Sequence, residues 1–262
     1  MKRIACIVAM LLPLVASAQS FQVGARASVG ADWKISKGLH LTVEEEMRTG
    51  DSFFSLGSLR TGVGLDYKPA KFLRLGVGYV LINPYSEEYV FKAPRHRLYA
   101  DVGAHAAVGY FDFSWKERFQ YTHRTGTFNV YQNTPDAFAL KTRLGVEYKG
   151  FGMVEPGLFF EVRTALNDPW GSVSGDLKTT KAGRTYYDYT PGGYTHLYNN
   201  RYRGMLRADI KLSKQHLLRP YFLLDAVSSY EIDTNSTGDR LFSAGYNNYL
   251  SLSLGVGYTY KF

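Results

Sequence analysis

Apolar and polar residues take turns along this chain for ten to fourteen residues at a stretch, and that length constrains the fold more than any other feature. In YLSLSLGVGYTYKF (249–262), Leu250, Leu252, Leu254, Val256, Tyr258, Tyr260 and Phe262 hold one face, while Ser251, Ser253, Gly255, Gly257, Thr259 and Lys261 hold the other. Side chains point alternately to the two sides of a strand, so each run is a ribbon with one apolar side. Ordinary strands average about 5–6 residues, whereas a tilted strand crossing a bilayer needs roughly 9–11. Runs this long fit a wall as tall as the hydrocarbon layer.

The same pattern predicts strands at 22–33, 39–49, 55–68, 72–82, 95–108, 111–124, 138–149, 154–166, 201–213, 217–231 and 247–262. Connections at 68–71, 109–110, 150–153 and 214–216 are tight; those at 83–94, 125–137, 167–200 and 232–246 are long. Outer-membrane barrels have short periplasmic turns and longer extracellular loops, so the tight set and Phe262 are expected on the periplasmic side. The predicted fold class is all-β: a transmembrane antiparallel up-and-down β-barrel of about ten to twelve strands. Ten strands from Leu39 to Phe262 already make an even barrel. Segment 22–33 is then an eleventh, running downward beside another downward strand, which leaves three readings: a parallel closing strand, an insert in the lumen, or part of a twelve-strand arrangement. A secreted β-sandwich binding module is the alternative fold.

Glycines on the polar face support a tightly curved wall. Gly-Val-Gly recurs at 62–64, 76–78 and 255–257, where a small barrel needs tiny inward residues beside bulky ones. No strand-to-helix transition follows any copy, which argues against a phosphate-cradling glycine loop. Trp33, Tyr67, Tyr110, Phe111, Phe113, Tyr148, Phe151, Tyr258, Tyr260 and Phe262 all fall near a tight turn or the last residue. Rings at headgroup depth would form a girdle there.

Residues 1–18 read as a signal peptide: Lys2 and Arg3, an apolar stretch from Ile4 to Val15, then Ala16-Ser17-Ala18. The lone cysteine, Cys6, lies within it, so residues 19–262, read as a single outer-membrane barrel domain, carry no thiol chemistry. Without Lys2 and Arg3 the balance is 29 basic to 23 acidic residues, +6. For an exported chain that excess points to envelope phosphates, lipopolysaccharide or small anionic solutes rather than nucleic acid. The localisation expected is integral to the cell outer membrane of a Gram-negative envelope.

With a barrel in view, LHLTVEEEMR (39–48), LRLGVGYVL (73–81), RHRLYADV (95–102), FSWKERFQY (113–121) and NNRYRGMLR (199–207) resemble the Bacteroidetes outer-membrane β-barrel family known as domain of unknown function 2490. Glu44 to Arg48, His96 to Tyr99, and Arg118 with Arg124 occupy places comparable to that family's motifs. The resemblance implies an envelope barrel of uncharacterised role and brings no catalytic residues with it.

Parity and depth put a surplus of inward cations near the long loops: Arg48, Arg60, Arg95, Arg97, Arg124, Lys141, Arg143, Arg163, Arg201 and Arg203. Glu44, Glu46 and Glu161 share that half, and Glu44 and Glu46 are expected to meet Arg60 on the next strand. Guanidinium forks match carboxylates and phosphates, so this mouth is the candidate anion site. The competing reading has Arg and Glu paired across strands, simply filling the interior. The function expected is non-enzymatic, either a narrow anion-preferring pore or a surface binder of anionic ligands, with neither cofactor nor metal. Tyr258, Tyr260 and Phe262 are read as the insertion signal that the barrel-assembly machinery recognises. An outer-membrane lipid- or lipopolysaccharide-modifying enzyme is the alternative, using the outward His123 with Ser229 or Ser86 as nucleophile. The tyrosine-rich 167–200 loop reads as a β-hairpin carrying two strands outward, or else as a lid or recognition surface.

Overall fold

The computed structural model describes residues 20–50, 53–86 and 90–262. The expected signal peptide at 1–18, with Cys6, lies outside the described residues. Among the described residues every regular element is a strand: β1 (Ser20–Ser36), β2 (Leu39–Thr49), β3 (Leu56–Ala70), β4 (Leu73–Pro84), β5 (Arg95–Val108), β6 (Phe111–Arg124), β7 (Asp136–Tyr148), β8 (Val154–Asp168), β9 (Gly171–Thr179), β10 (Thr185–Pro191), β11 (His196–Lys211), β12 (His216–Thr234) and β13 (Arg240–Lys261).

Eleven of these close into a barrel in the order β1 to β8, β11, β12, β13, and β13 returns to β1. Each neighbouring pair is antiparallel except the seam, where β1 and β13 run side by side from Ser20↔Tyr249 to Asp32↔Lys261. An odd number of up-and-down strands has to close on one parallel pair. Segment 22–33 is therefore the parallel closing strand, and the barrel is mixed rather than wholly antiparallel. The single closed sheet excludes the β-sandwich.

β9 and β10 form a hairpin above the wall, and β10 also pairs with the loop-side end of β13 at Tyr187↔Leu241. The hairpin reading of 167–200 thus holds. Strands β11 and β13 begin earlier than their periodicity indicates, at His196 and Arg240. Within this extension Tyr189 packs against Ile232 and Leu241, and Tyr186 stands edge-on to Phe242 at 6.4 Å. These tyrosines stiffen the outgrowth.

The barrel is built inside out by the standards of a water-soluble domain. Phe119, Leu144, Leu158 and Leu206, each 42–56% exposed with their neighbour Phe160, stud the outer wall, while the inner wall carries charge. Inward glycines admit rings: a Cβ at Gly64 would stand 2.8 Å from the Tyr99 hydroxyl oxygen, and Gly78, Gly255 and Gly145 likewise abut the rings of Tyr99, Tyr221 and Phe159. At the tight-turn end, Gly38 and Gly109 adopt φ of 80° and 60°, a region L side chains rarely enter. Aromatics cluster there as the girdle pattern indicates. Trp33 stacks on Phe262 at 5.0 Å, Tyr260 meets Phe262 edge-on at 4.6 Å, and Tyr148 gathers Phe111 and Phe151 at 5.2 and 4.8 Å. The Tyr258 hydroxyl lies 2.6 Å from His216 Nδ1 at this same end.

Candidate anion-binding site

Alternation within each strand decides which side chains enter the lumen; register between strands decides which of them meet. Pairings Arg118↔Lys141, Lys141↔Arg163 and Arg163↔Arg201 set four cations directly opposite one another on β6, β7, β8 and β11. Arg95↔Arg124 and Arg26↔Arg48 repeat the arrangement nearby. Like charges directly opposite on a sheet are destabilising, so a ladder of them is not what a merely structural lining would select.

The ladder borders a cavity of about 610 Å³ on the loop side of the lumen. Of the ten predicted mouth residues, Arg48, Arg60, Arg95, Arg97, Lys141, Arg163, Arg201 and Arg203 line it, joined by Arg118, Gln120, Tyr99, Thr42, Glu44 and Glu46. Arg143 lies outside this cavity, beside a smaller one with Lys116 and Glu161, its guanidinium 5.6 Å from the Phe159 ring centre. Arg124 donates instead to Asn133 Oδ1 at 3.1 Å, in the loop beyond its strand.

Two populations of cation share this lumen. The first is neutralised: Arg203 holds Asp225 through two hydrogen bonds of 2.6 and 2.8 Å, Arg118 holds Asp101 at 2.5 and 2.6 Å, Lys141 lies 3.7 Å from Glu161, and Arg48 pairs with Glu46. The second is not. Among the described residues Arg95, Arg163 and Arg201 have no carboxylate partner, and Arg60 and Arg97 reach only Ser58 Oγ at 3.3 Å and Thr122 Oγ1 at 3.1 Å. Arg201 Nε is buried without a hydrogen-bond partner among the described residues. The expected contact of Glu44 and Glu46 with Arg60 does not form, although Glu46 and Arg60 are paired in register, because the nearer Arg48 takes the Glu46 carboxylate.

Above the cavity the 125–135 loop bridges from β6 and β7 to β12 and β13. Asn129 Nδ2 donates to Thr234 O, Thr234 Oγ1 and Asn235 O at 3.3, 3.2 and 3.0 Å. Gln132 Nε2 donates to Asp233 Oδ1 and Thr234 O at 3.2 and 3.0 Å, and the Tyr194 hydroxyl donates to Val130 O at 3.0 Å. Burial pushes that hydroxyl's pKa up. In the facing loop, hydrogen bonds from Thr237 and Asn235 hold the Asp239 carboxyl below its usual range.

Outside the wall, His123 Nδ1 meets Asp136 Oδ1 at 2.8 Å and Tyr121 donates to the same oxygen at 2.6 Å. Neither Ser86 nor Ser229 hydrogen-bonds to His123; the Ser86 hydroxyl is buried without a partner among the described residues. No group of three or more His, Cys, Asp or Glu residues suited to a metal ion occurs among the described residues.

Arg118 and the bridging loop are absent from the sequence-based site. Parity alone indicates the first, since Arg118 shares the face of Gln120 and Arg124; no local signal indicates the second, because Asn129 and Thr234 are separated by 105 residues.

Fold and cavity together define a class: a closed, mixed β-barrel with an apolar outer wall and a lumen rich in guanidinium groups. The chain belongs to the family described as Protein of unknown function (DUF2490), whose model matches residues 27–262. No curated protein matches the chain.

Proposed function

We propose that this barrel spans the outer membrane of a Gram-negative, Bacteroidetes-type envelope and binds a small anionic solute in the loop-side cup of its lumen. The observation that carries the reading is the set of five guanidinium groups, on Arg60, Arg95, Arg97, Arg163 and Arg201, that share one cavity with no carboxylate partner among the described residues. Separating such charges from water is costly unless an opposite charge arrives. An oxyanion supplies it and is held by charge-assisted, bidentate bonds. The membrane setting is supported by the outward apolar wall and the turn-end rings, since a closed barrel leaves no backbone group unsatisfied in lipid.

Calorimetric titration of the detergent-solubilised chain with inorganic phosphate tests the cup. We expect saturable binding that weakens by roughly tenfold or more in Arg163→Gln/Arg201→Gln, as loss of hydrogen bonds to charged groups requires; no heat, or unchanged affinity in the double variant, rejects it. Planar-bilayer recording separates a blind cup from a pore, which would show conductance steps with anion-favouring reversal potentials. Migration on a denaturing gel that shifts on boiling, and retention through a carbonate wash, are expected of an embedded barrel.

The hydrogen bond from His123 to Asp136 favours a second reading, a lipid- or lipopolysaccharide-modifying enzyme at the outer rim. It requires product detectable by mass spectrometry and lost in His123→Ala.

A further inference from the structure

Among the described residues, the carboxylates that line the cavity or approach the cations lining it are all matched but one. Glu46 has Arg48, Glu161 has Lys141 and Arg203, and Asp225 has Arg203 and Arg26. Glu44 lines the cup and makes neither ion pair nor hydrogen bond among the described residues, although it is exposed to the lumen. Its neighbours in register are Gly30 on β1 and Gly62 on β3. A Cβ added at Gly62 would meet nothing closer than 3.7 Å. The carboxylate therefore stands in an open bay with no side chain on either flank. Strand order places β2 across the closed barrel from β7 and β8, with β11 next to them, so the bay faces Arg163, and Arg201 beside it, over the cavity.

We infer that the cup receives a zwitterionic ligand, with its anionic oxygens against Arg163 and Arg201 and a primary ammonium group against Glu44. This rests on the anion-binding reading above and narrows it. A cup meant only for anions gains nothing from a free carboxylate, which repels them across a cavity where screening is weak. A ligand bearing both charges turns the repulsion into a second contact. An ammonium suits the bay because it is compact and offers three donors that need no planar geometry. A dedicated metal site would need more ligands than this one carboxylate provides.

The test compares three phosphomonoesters of similar size on the full chain in detergent, at fixed pH and salt: phosphoethanolamine, 2-hydroxyethyl phosphate and propyl phosphate. Wild type should bind phosphoethanolamine about tenfold more tightly than either of the others, equal to about 1.4 kcal/mol. Glu44→Gln, an isosteric change, should abolish that preference and, by removing the carboxylate's repulsion, bind propyl phosphate more tightly than wild type does. Gly62→Val, which fills the bay without touching charge, should abolish it as well. Equal binding of the three esters by wild type overturns the inference, and needs no variant. So does a preference that survives in Glu44→Gln, or 2-hydroxyethyl phosphate matching the amine, which would assign Glu44 to a hydroxyl. Failure of all three esters to bind rejects the anion-binding reading itself, a different outcome.

Discussion

The two ends of the lumen are lined by the same residue types and organised on opposite principles. Toward the tight turns, acids and bases are matched: Arg207 pairs with Glu147 and lies 2.9 Å from Asp209, which also takes Arg219 at 3.3 Å, and Arg74 pairs with Asp66 at 2.7 Å. Phe159 and Tyr221 fill the space between, with the Arg207 guanidinium 4.4 Å from the Phe159 ring centre. Toward the loops, matching is incomplete: among the described residues Arg60, Arg95, Arg97, Arg163 and Arg201 lack a carboxylate, and cations face cations across three successive strand pairs. A barrel that needed only a filled interior would extend the first solution throughout. The change of principle along one axis separates the part of the lumen that holds the wall together from the part kept ready for a guest.

That contrast can be broken most severely at Asp225, which is 3% exposed and serves both Arg203 and Arg26. Asp225→Ala removes the carboxylate shared by two buried cations, leaving Arg203 only Glu161 at 3.9 Å, and should lower unfolding free energy by about 3–5 kcal/mol, read from urea titration in vesicles. Next in size, phosphate at 100 times its dissociation constant should raise the wild-type unfolding free energy by about 2.7 kcal/mol, and by much less in Arg163→Gln/Arg201→Gln. Arg201→Met probes the unmatched population alone and should be neutral or stabilising by about 1 kcal/mol, because it removes like-charge repulsion and a buried, unsatisfied donor. An equal loss in Asp225→Ala and Arg201→Met would erase the distinction between the two halves. Asn129→Ala should cost about 1 kcal/mol through its hydrogen bonds to the β12–β13 hairpin, with faster proteolysis of 125–135 as the clearer readout. Smallest of all, Trp33→Leu should lose only the ring stacking on Phe262, about 0.5–1.5 kcal/mol.

How far the sequence discloses this arrangement depends on the range of the signal. A period of two is local, so which side chains turn inward was legible from Arg97, Arg163 or Arg201 alone. Register is not local, and it is what distinguishes Arg48, which captures Glu46, from Arg60, which faces it and stays unmatched. The extended starts of β11 and β13 were hidden for another reason. Residues 240–248, RLFSAGYNN, belong to the outgrowth above the wall, where no continuous apolar face is required and the alternation fades. The bridge from Asn129 to Thr234 left no trace because amides that reach across a molecule look like any other loop residues.

The seam between β1 and β13 has a consequence for how such a molecule comes together. It joins the two strands farthest apart in the chain, so its pairing restricts the longest loop and gains least from chain proximity. Until it forms, the sheet is a ribbon with two raw margins, each open to pairing with a stranger. Closure then removes both at one stroke, which makes completion of the cylinder, rather than the laying of any single strand, the committed event in its biogenesis.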